Sequence, residues 1–234
     1  MKNKIKVTAI IGGMLEDKNI LPQPANKYIP EWFKNMPVEL KGFNHNFKKL
    51  PNLRTVKSCP SFTDVFKNGY VIPCPFDVWL HIKENGDVDW RTPDDNFKIE
   101  IHPNDQFINH AKTNVRKVFK ISNPFRIVTP KGWSVMQLPM FYHFNPDFYV
   151  PYGIIDTDRH HEINQQIFYT SKEDEILIKK GTPLNYLIPF KRSNKLKIQV
   201  VNYAKLHEKI TGSWFRVFSK FKNGYLKWKL KLFL

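Results

Sequence analysis

The chain has 234 residues, 41% of them hydrophobic and 15% aromatic, so it can bury at least one sizeable core. Lysine and arginine outnumber aspartate and glutamate by 37 to 21, which gives a formal net charge of +16. These values exclude a disordered chain and predict attraction to a polyanion such as nucleic acid, an acidic protein face or anionic lipid. A coding bias toward lysine, asparagine and isoleucine is the alternative origin of the basicity.

The cysteine content and the N-terminal segment argue against further classes of protein. Cys59 and Cys74 are the only cysteines and form no C-x-x-C pair, so we expect two buried thiols and no disulfide framework. The apolar run 7–11 is shorter than the hydrophobic part of a signal peptide and far shorter than a membrane span. It predicts a β-strand within residues 1–13.

Residues 20–40 form a proline-rich arm, in which each proline removes a backbone donor and restricts the residue before it. We expect one helical turn there, over residues 29–36. Trp32 and Phe33 would pin this arm either onto the chain's own core or, as a hook, onto another subunit.

From residue 61 onward the pattern is that of a mainly β protein. Ser61 as a cap and Gly69 as a stop predict a short helix over 61–70. The Asn85-Gly86 pair in the turn at 84–87 predicts a primed hairpin. Strands are predicted at 70–72, 77–82, 88–91, 97–102, 118–121, 125–129, 134–140, 149–154, 161–169, 175–179 and 183–191. Short strands at this density predict an all-β barrel or sandwich.

Residues 205–234 contain eight lysines and arginines and the single acidic residue Glu208. Helical spacing would place Trp214, Phe218, Phe221 and Tyr225 on one face of a helix, with basic residues elsewhere around it. The candidate interaction residues of this predicted basic helix are Trp214, Arg216, Phe218, Lys220, Phe221, Lys222, Tyr225 and Trp228. Three roles are open for it: docking onto the β core or a partner subunit, lying on anionic lipid, or contacting a nucleic-acid backbone.

Residues 153–192 carry two consecutive spacings of a known superfamily. Residues 153–163 follow the pattern G-x-I-D-x-D-Y-x-G-E-I, and residues 180–188 follow K-G-x-x-I-A-Q-L-I. In these spacings the chain resembles the dUTPase and dCTP-deaminase superfamily, which implies a dUTPase-like (β-clip) core and self-association, typically as trimers. The resemblance also places Asp156 where a dUTPase aspartate holds the sugar hydroxyl and helps to activate water, in an enzyme that would use Mg²⁺.

The departures from that pattern argue against catalysis. Arg159 replaces the tyrosine that lies under the deoxyribose, His161 replaces a glycine, and Tyr186 replaces the glutamine. A serine-rich phosphate loop is missing from residues 132–140, and the deaminase glutamate falls at about Gln166, which is no acid or base. Nucleotide hydrolysis or deamination is therefore not expected, and no cofactor is expected with it.

The whole chain also resembles an uncharacterised protein family of tailed bacteriophages, through residues 30–34, 55–60, 69–73 and 180–184. That resemblance implies a viral origin, and hence a place in the virion or the host cytoplasm, without adding a function.

A cluster of histidines and carboxylates offers a different class of site. His143, Asp147 and His160 have the residue types of the two-histidine, one-carboxylate set of non-haem iron enzymes, so a cupin-like Fe²⁺ oxygenase is a second alternative. Against it, the neighbours His160 and His161 would point to opposite faces of a strand.

These observations give one preferred hypothesis. We expect an N-terminal strand and arm (1–60), a dUTPase-like core (61–200) and a basic helix (201–234), serving as a non-catalytic structural or binding protein of bacteriophage type. Its partners would be further copies of itself, other virion proteins, or nucleic acid or another polyanion. The first alternative is a divergent deoxynucleotide hydrolase that uses Asp156 and Mg²⁺.

Overall fold

The computed structural model describes residues 4–9, 16–45, 48–93 and 97–192. The predicted basic helix lies outside these residues. Contacts group the described residues into two compact units, one within 4–30 and 64–192 and the other within 31–63. The three-segment division stays a prediction.

The described residues form a mainly β fold, as predicted. The strands are β1 (Lys6–Ala9), β2 (Gln23–Pro24), β3 (Glu39–His45), β4 (Lys48–Arg54), β5 (Tyr70–Pro73), β6 (Val78–Ile82), β7 (Val88–Arg91), β8 (Ile99–His102), β9 (Lys117–Ile121), β10 (Phe125–Val128), β11 (Trp133–Pro139), β12 (Phe148–Tyr149), β13 (Gly153–Ile155), β14 (Gln165–Tyr169), β15 (Glu175–Ile178) and β16 (Pro183–Lys191). The helices are α1 (Glu31–Asn35) and α2 (Pro60–Thr63), with 3-10 turns at Ala25–Tyr28, Val56–Ser58, Asp64–Lys67, Asn104–Gln106 and Ile108–His110. Among the described helices, none is long and apolar enough to cross a membrane.

The first unit is built from antiparallel sheets that join strands distant in sequence. The largest has the order β13-β11-β16-β5-β2, and a second has the order β12-β14-β9-β8. Two smaller sheets pair β15-β6-β7 and β1-β10. The β6–β7 pair closes at the turn that contains Asn85 and Gly86, so the predicted hairpin is confirmed. Of these two residues Gly86 has a positive φ (+82) and Asn85 does not, and the Gly86 N–H donates to the Lys83 carbonyl at 2.9 Å, so the primed form of the turn is not adopted.

The two larger hydrophobic clusters of the described residues hold these sheets. One gathers side chains of β6, β9, β14 and β15, including Leu80, Phe119 and Ile167. In β6 the buried positions alternate, because every second side chain of a strand points to the same face. The other cluster centres on Val135 of β11 and Leu187 of β16. Each fully buried aliphatic side chain stabilises the fold by about 1.5–3 kcal/mol.

One predicted strand is divided in the structure, and another is shortened. Residues 149–154 form the end of β12 and the start of β13, separated by Pro151, which has no N–H to donate to a ladder. The strand predicted over 161–169 begins only at Gln165, because the residues before it turn. That turn forms the candidate site.

The second unit contains the predicted turn of helix and a hairpin that the sequence patterns did not predict. In α1, Phe33 is fully buried and Trp32 is 38% exposed, with their rings edge to face at 5.5 Å. Lys57 Nζ donates to the carbonyls of Lys34 (2.7 Å) and Met36 (3.1 Å), so it satisfies acceptors at the end of this helix. The hairpin pairs β3 with β4.

Candidate functional site

The residues matched to the dUTPase pattern lie where β13 ends and the chain turns toward β14. β13 pairs with β11, with Ile155 opposite Val135, and Asp156 follows immediately. The backbone N–H groups of Arg159 and His160 both donate to the Asp156 carbonyl at 2.8 Å. These bonds fix a tight turn, which holds the Asp156 side chain over the first residues of β11.

The carboxylates of this turn are held by one arginine from the end of β16. Arg192 Nη1 lies 2.9 Å from Asp156 Oδ1, and the guanidinium bonds both carboxylate oxygens of Asp158. Ser134 Oγ donates to Asp156 Oδ1 at 2.7 Å and accepts from Arg192 Nη1 at 2.8 Å. The Gly132 N–H donates to Asp158 Oδ2 at 2.7 Å. We call Ser134, Asp156, Asp158 and Arg192 the Arg192 clamp.

The clamp keeps both carboxylates ionised. The Ser134 hydroxyl, and then Arg192, hold the pKa of Asp156 below its usual value. Arg192 and the Gly132 N–H lower the pKa of Asp158 to about 2, and the Asp158 side chain is only 4% exposed. A carboxylate that is bonded in this way accepts a proton from water weakly, so Asp156 is poorly suited to act as a general base.

Beside the turn lies a pocket of about 390 Å³. Its polar lining includes Gln137, Glu162, Asn164 and Gln166, the last at the deaminase glutamate position. No lysine or arginine is found among the described residues of its lining, and Glu162 adds a carboxylate that is bonded to Arg126 at 2.9 Å. Such a lining gives no guanidinium or ammonium group for the phosphates of a nucleotide, and its described basic side chain is the imidazole of His160.

The structure also places the three residues that depart from the dUTPase pattern, Arg159, His161 and Tyr186. Arg159 is exposed, and His161 Nδ1 lies 2.9 Å from the Thr157 carbonyl. The buried Thr157 Oγ1 bonds Thr129 Oγ1 at 2.7 Å. This part of the turn therefore packs onto its own backbone, while Tyr186 is buried in a separate cluster.

The structure does not bring the three candidate iron ligands together. His143 Nε2 lies 2.8 Å from the Tyr28 carbonyl, Asp147 Oδ1 accepts from Ser171 Oγ at 2.7 Å, and His160 is exposed on the turn after β13. Within the described ranges, no three histidine, cysteine, aspartate or glutamate side chains are grouped so as to hold a metal ion. The residues present do not fit an Fe²⁺ site.

Of the predicted interaction residues, Trp32 reaches the surface and Phe33 is buried. The others, Trp214, Arg216, Phe218, Lys220, Phe221, Lys222, Tyr225 and Trp228, lie outside the described residues. Sequence reasoning missed Ser134 and Arg192. Both stand at ends of correctly predicted strands, and only the pairing of Trp133 with Lys191 brings them to Asp156.

The fold of the described residues is mainly β, and the site contains residues that resemble the dUTPase pattern with several of its positions changed. No known family model matches the chain, and no curated protein matches it in sequence. Similar solved structures include the dUTPase of EIAV, with 12% identity over 58% of this chain and 84% of that one, at a TM-score of 0.34. A variant dUTPase of phage phi11 of S. aureus has 12% identity over 86% and 99%, at 0.38. A variant of the Staphylococcus phage 80alpha dUTPase has 12% identity over 89% and 95%, at 0.40.

Proposed function

We propose that this protein is a non-catalytic structural or binding protein of bacteriophage type, built on a dUTPase-like core. One observation carries the proposal: the Asp156 carboxylate is bonded to Ser134 and Arg192 within the chain itself. The Asp156 side chain is 44% exposed, so water reaches it, but its Oδ1 is bonded to Ser134 and Arg192 and thereby ties β13 to β11 and to the end of β16.

Self-association and contact with a polyanion or other virion proteins belong to the same proposal. Ile154, in the outermost strand β13 of the five-stranded sheet, is 63% exposed, and an exposed apolar side chain on an edge strand suits contact with another chain. The +16 charge suits a polyanion. The expected location is the virion or the host cytoplasm.

A divergent deoxynucleotide hydrolase is the second candidate, because the pocket of about 390 Å³ lies next to the turn that carries Asp156. In that case Asp156 would hold a substrate hydroxyl or a Mg²⁺-bound water, which requires it to leave Arg192.

Incubation with deoxynucleoside triphosphates and Mg²⁺ separates the two candidates. We expect the purified full chain to release no pyrophosphate or deaminated product, measured by chromatography of the nucleotides. Asp156→Asn tests the site, and Asp174→Asn, which removes a carboxylate that pairs with Arg116 elsewhere, is the matched control. Turnover that is lost in the first variant and kept in the second would overturn the proposal in favour of the hydrolase.

A further inference from the structure

Residues 139–152 contain six aromatic side chains, and the concave surface that they form has no part in the proposed function. With Thr182, Pro183 and Leu184 they line an open groove of about 550 Å³. We call this surface the aromatic groove. Phe144 and Tyr152 line it and are 75% and 77% exposed, which is unusual for side chains of this size.

The backbone of this loop is strained at two aromatic positions. Tyr142 has φ +62 and Phe144 has φ +50, and both are left-handed values that side chains other than glycine seldom adopt. Each such residue costs about 1–3 kcal/mol, and this kind of strain is concentrated at functional sites. Here it sets the direction of two rings that line the groove.

Bonds on both sides of the strained residues hold the loop in this form. His143 Nε2–H donates to the Tyr28 carbonyl at 2.8 Å, which fixes the residue between the two rings. Asp147 N–H donates to Asn145 Oδ1 at 2.9 Å, and its carboxylate accepts from Ser171 Oγ at 2.7 Å. Thr170 Oγ1 donates to the Pro146 carbonyl at 2.8 Å.

Aromatic packing below the groove adds to this support. The Phe141 ring packs edge to face on Tyr186 at 4.8 Å, and the Tyr142 ring packs on Phe66 at 6.0 Å. The groove is therefore formed before any ligand arrives, and a ligand would bind without the cost of ordering the loop.

The residues that line the aromatic groove determine which class of ligand it can bind. Among the described residues that line the groove there is no lysine, arginine, aspartate or glutamate. Burial lowers the pKa of His143, so this side chain is neutral at pH 7. In a chain of charge +16, a groove without cations is not a site for nucleic acid or another polyanion.

The remaining polar and aromatic groups are mainly aromatic faces and tyrosine hydroxyls, with the side chains of Asn145 and Thr182 beside them. Burial raises the pKa of Tyr149, so its hydroxyl stays protonated and able to donate. A polyproline II helix has no internal hydrogen bonds, so its carbonyls are open to such donors, and its proline rings dock between aromatic side chains. Its rise of about 3.1 Å per residue brings a ring to the same side every three residues, or about 9 Å.

We propose that the aromatic groove binds a proline-rich segment of a partner protein in the polyproline II conformation. Phe144 and Tyr152 provide the walls between which the proline rings lie, and the tyrosine hydroxyls donate to the carbonyls of the peptide.

The test uses the full chain and labelled peptides, with binding measured by fluorescence anisotropy. The probes are decaproline and a panel of peptides that each contain a P-x-x-P core, with a glycine-serine peptide of equal length as the blank. Phe144→Gly removes one wall and relieves its backbone strain, so it is expected to fold at least as well as the parent. Tyr152→Ala removes the other wall. Leu177→Ala, which removes a side chain that is 53% exposed on β15, is the matched control.

We expect saturable binding of at least one proline-rich probe, weakened about tenfold or more in Phe144→Gly and in Tyr152→Ala, and unchanged in Leu177→Ala. The proposal is overturned if no proline-rich probe binds, or if binding is the same in all four proteins. Binding of a neutral oligosaccharide or of single-stranded DNA in place of the peptides, with the same dependence on Phe144 and Tyr152, would assign the groove to another class of ligand. Tyr152 also lines the pocket of about 390 Å³ beside Asp156, whereas Phe144 lines the aromatic groove alone, so the effect of Phe144→Gly separates this test from nucleotide turnover.

Discussion

At the scale of single residues, the Arg192 clamp binds together the two carboxylates of a motif that resembles a catalytic one. Asp158 is almost fully enclosed and is bonded through both carboxylate oxygens, while Asp156 shares the same guanidinium. A bidentate arginine–carboxylate contact of this kind fixes the relative positions of the two side chains more firmly than a single ion pair does. Removal of this contact should therefore lower the free energy of unfolding.

Arg192→Gln tests this through the pH dependence of stability. The Asp158 pKa is lowered to about 2 in the folded protein and is about 3.9 in an unfolded chain. The stabilisation is then fully present above pH ~4 and is lost as the pH falls through about 2. We expect Arg192→Gln to lower the urea midpoint at pH 7, and the difference from the parent to shrink as the pH falls from about 4 toward about 2.

Arg126→Gln is the control for that measurement, because it breaks an ion pair with Glu162 in which both side chains are about half exposed. Pairs of that kind contribute about 0–1 kcal/mol. Equal effects of the two arginine variants at pH 7 would contradict a special role for the clamp.

At the scale of elements, the approach of β5 to β16 depends on a glycine. Gly69, just before β5, has φ +94, and a Cβ placed on it would lie 2.5 Å from the carbonyl oxygen of Leu187 in β16. Gly86, in the β6–β7 turn, has a similar φ of +82 and open space around the same position. A comparison of alanine substitutions at Gly69 and Gly86 therefore separates the free-energy cost of the left-handed backbone from the cost of a steric clash.

We expect Gly86→Ala to lower the free energy of unfolding by about 1–2 kcal/mol, the usual cost of a left-handed residue with a side chain. Gly69→Ala should lower it by roughly 1–3 kcal/mol more, since β16 must shift to relieve the clash. Urea unfolding of the two variants gives both values. Similar losses in the two variants would mean that the strand approach is not as tight as the structure has it.

The same scale shows what the sequence could and could not predict. β7 and β16 have the predicted bounds because alternation and turn residues are local signals, and Pro151 explains the one strand that divides. The β3–β4 hairpin was missed, since it contains Pro51 and no two-residue turn signal. Asp156 was found through its motif, whereas Ser134 and Arg192 meet it through the register of distant strands, which no local pattern encodes.

At the scale of the whole molecule, charge is distributed unevenly along the chain. Residues 205–234 carry eight lysines and arginines against Glu208, a net +7 of the total +16, so the rest of the chain carries +9. Binding to a polyanion releases counterions in proportion to the phosphates that are neutralised, and the salt dependence of affinity reports that number. The tail and the core can therefore be compared by their salt slopes.

Deletion of residues 205–234 is the corresponding experiment. Because it removes almost half of the net charge, we expect weaker binding to duplex DNA or heparin and a shallower slope of log affinity against log salt, with the β-sheet circular dichroism of the core retained. Light scattering of both proteins measures whether self-association is lost as well. A variant of the full chain in which the same eight basic residues are changed to glutamine controls for the apolar side chains, since it removes the charge alone. An unfolded truncation beside a folded glutamine variant would show that the aromatic residues of the tail belong to the core, and an unchanged salt slope in both would place polyanion binding on the remaining +9.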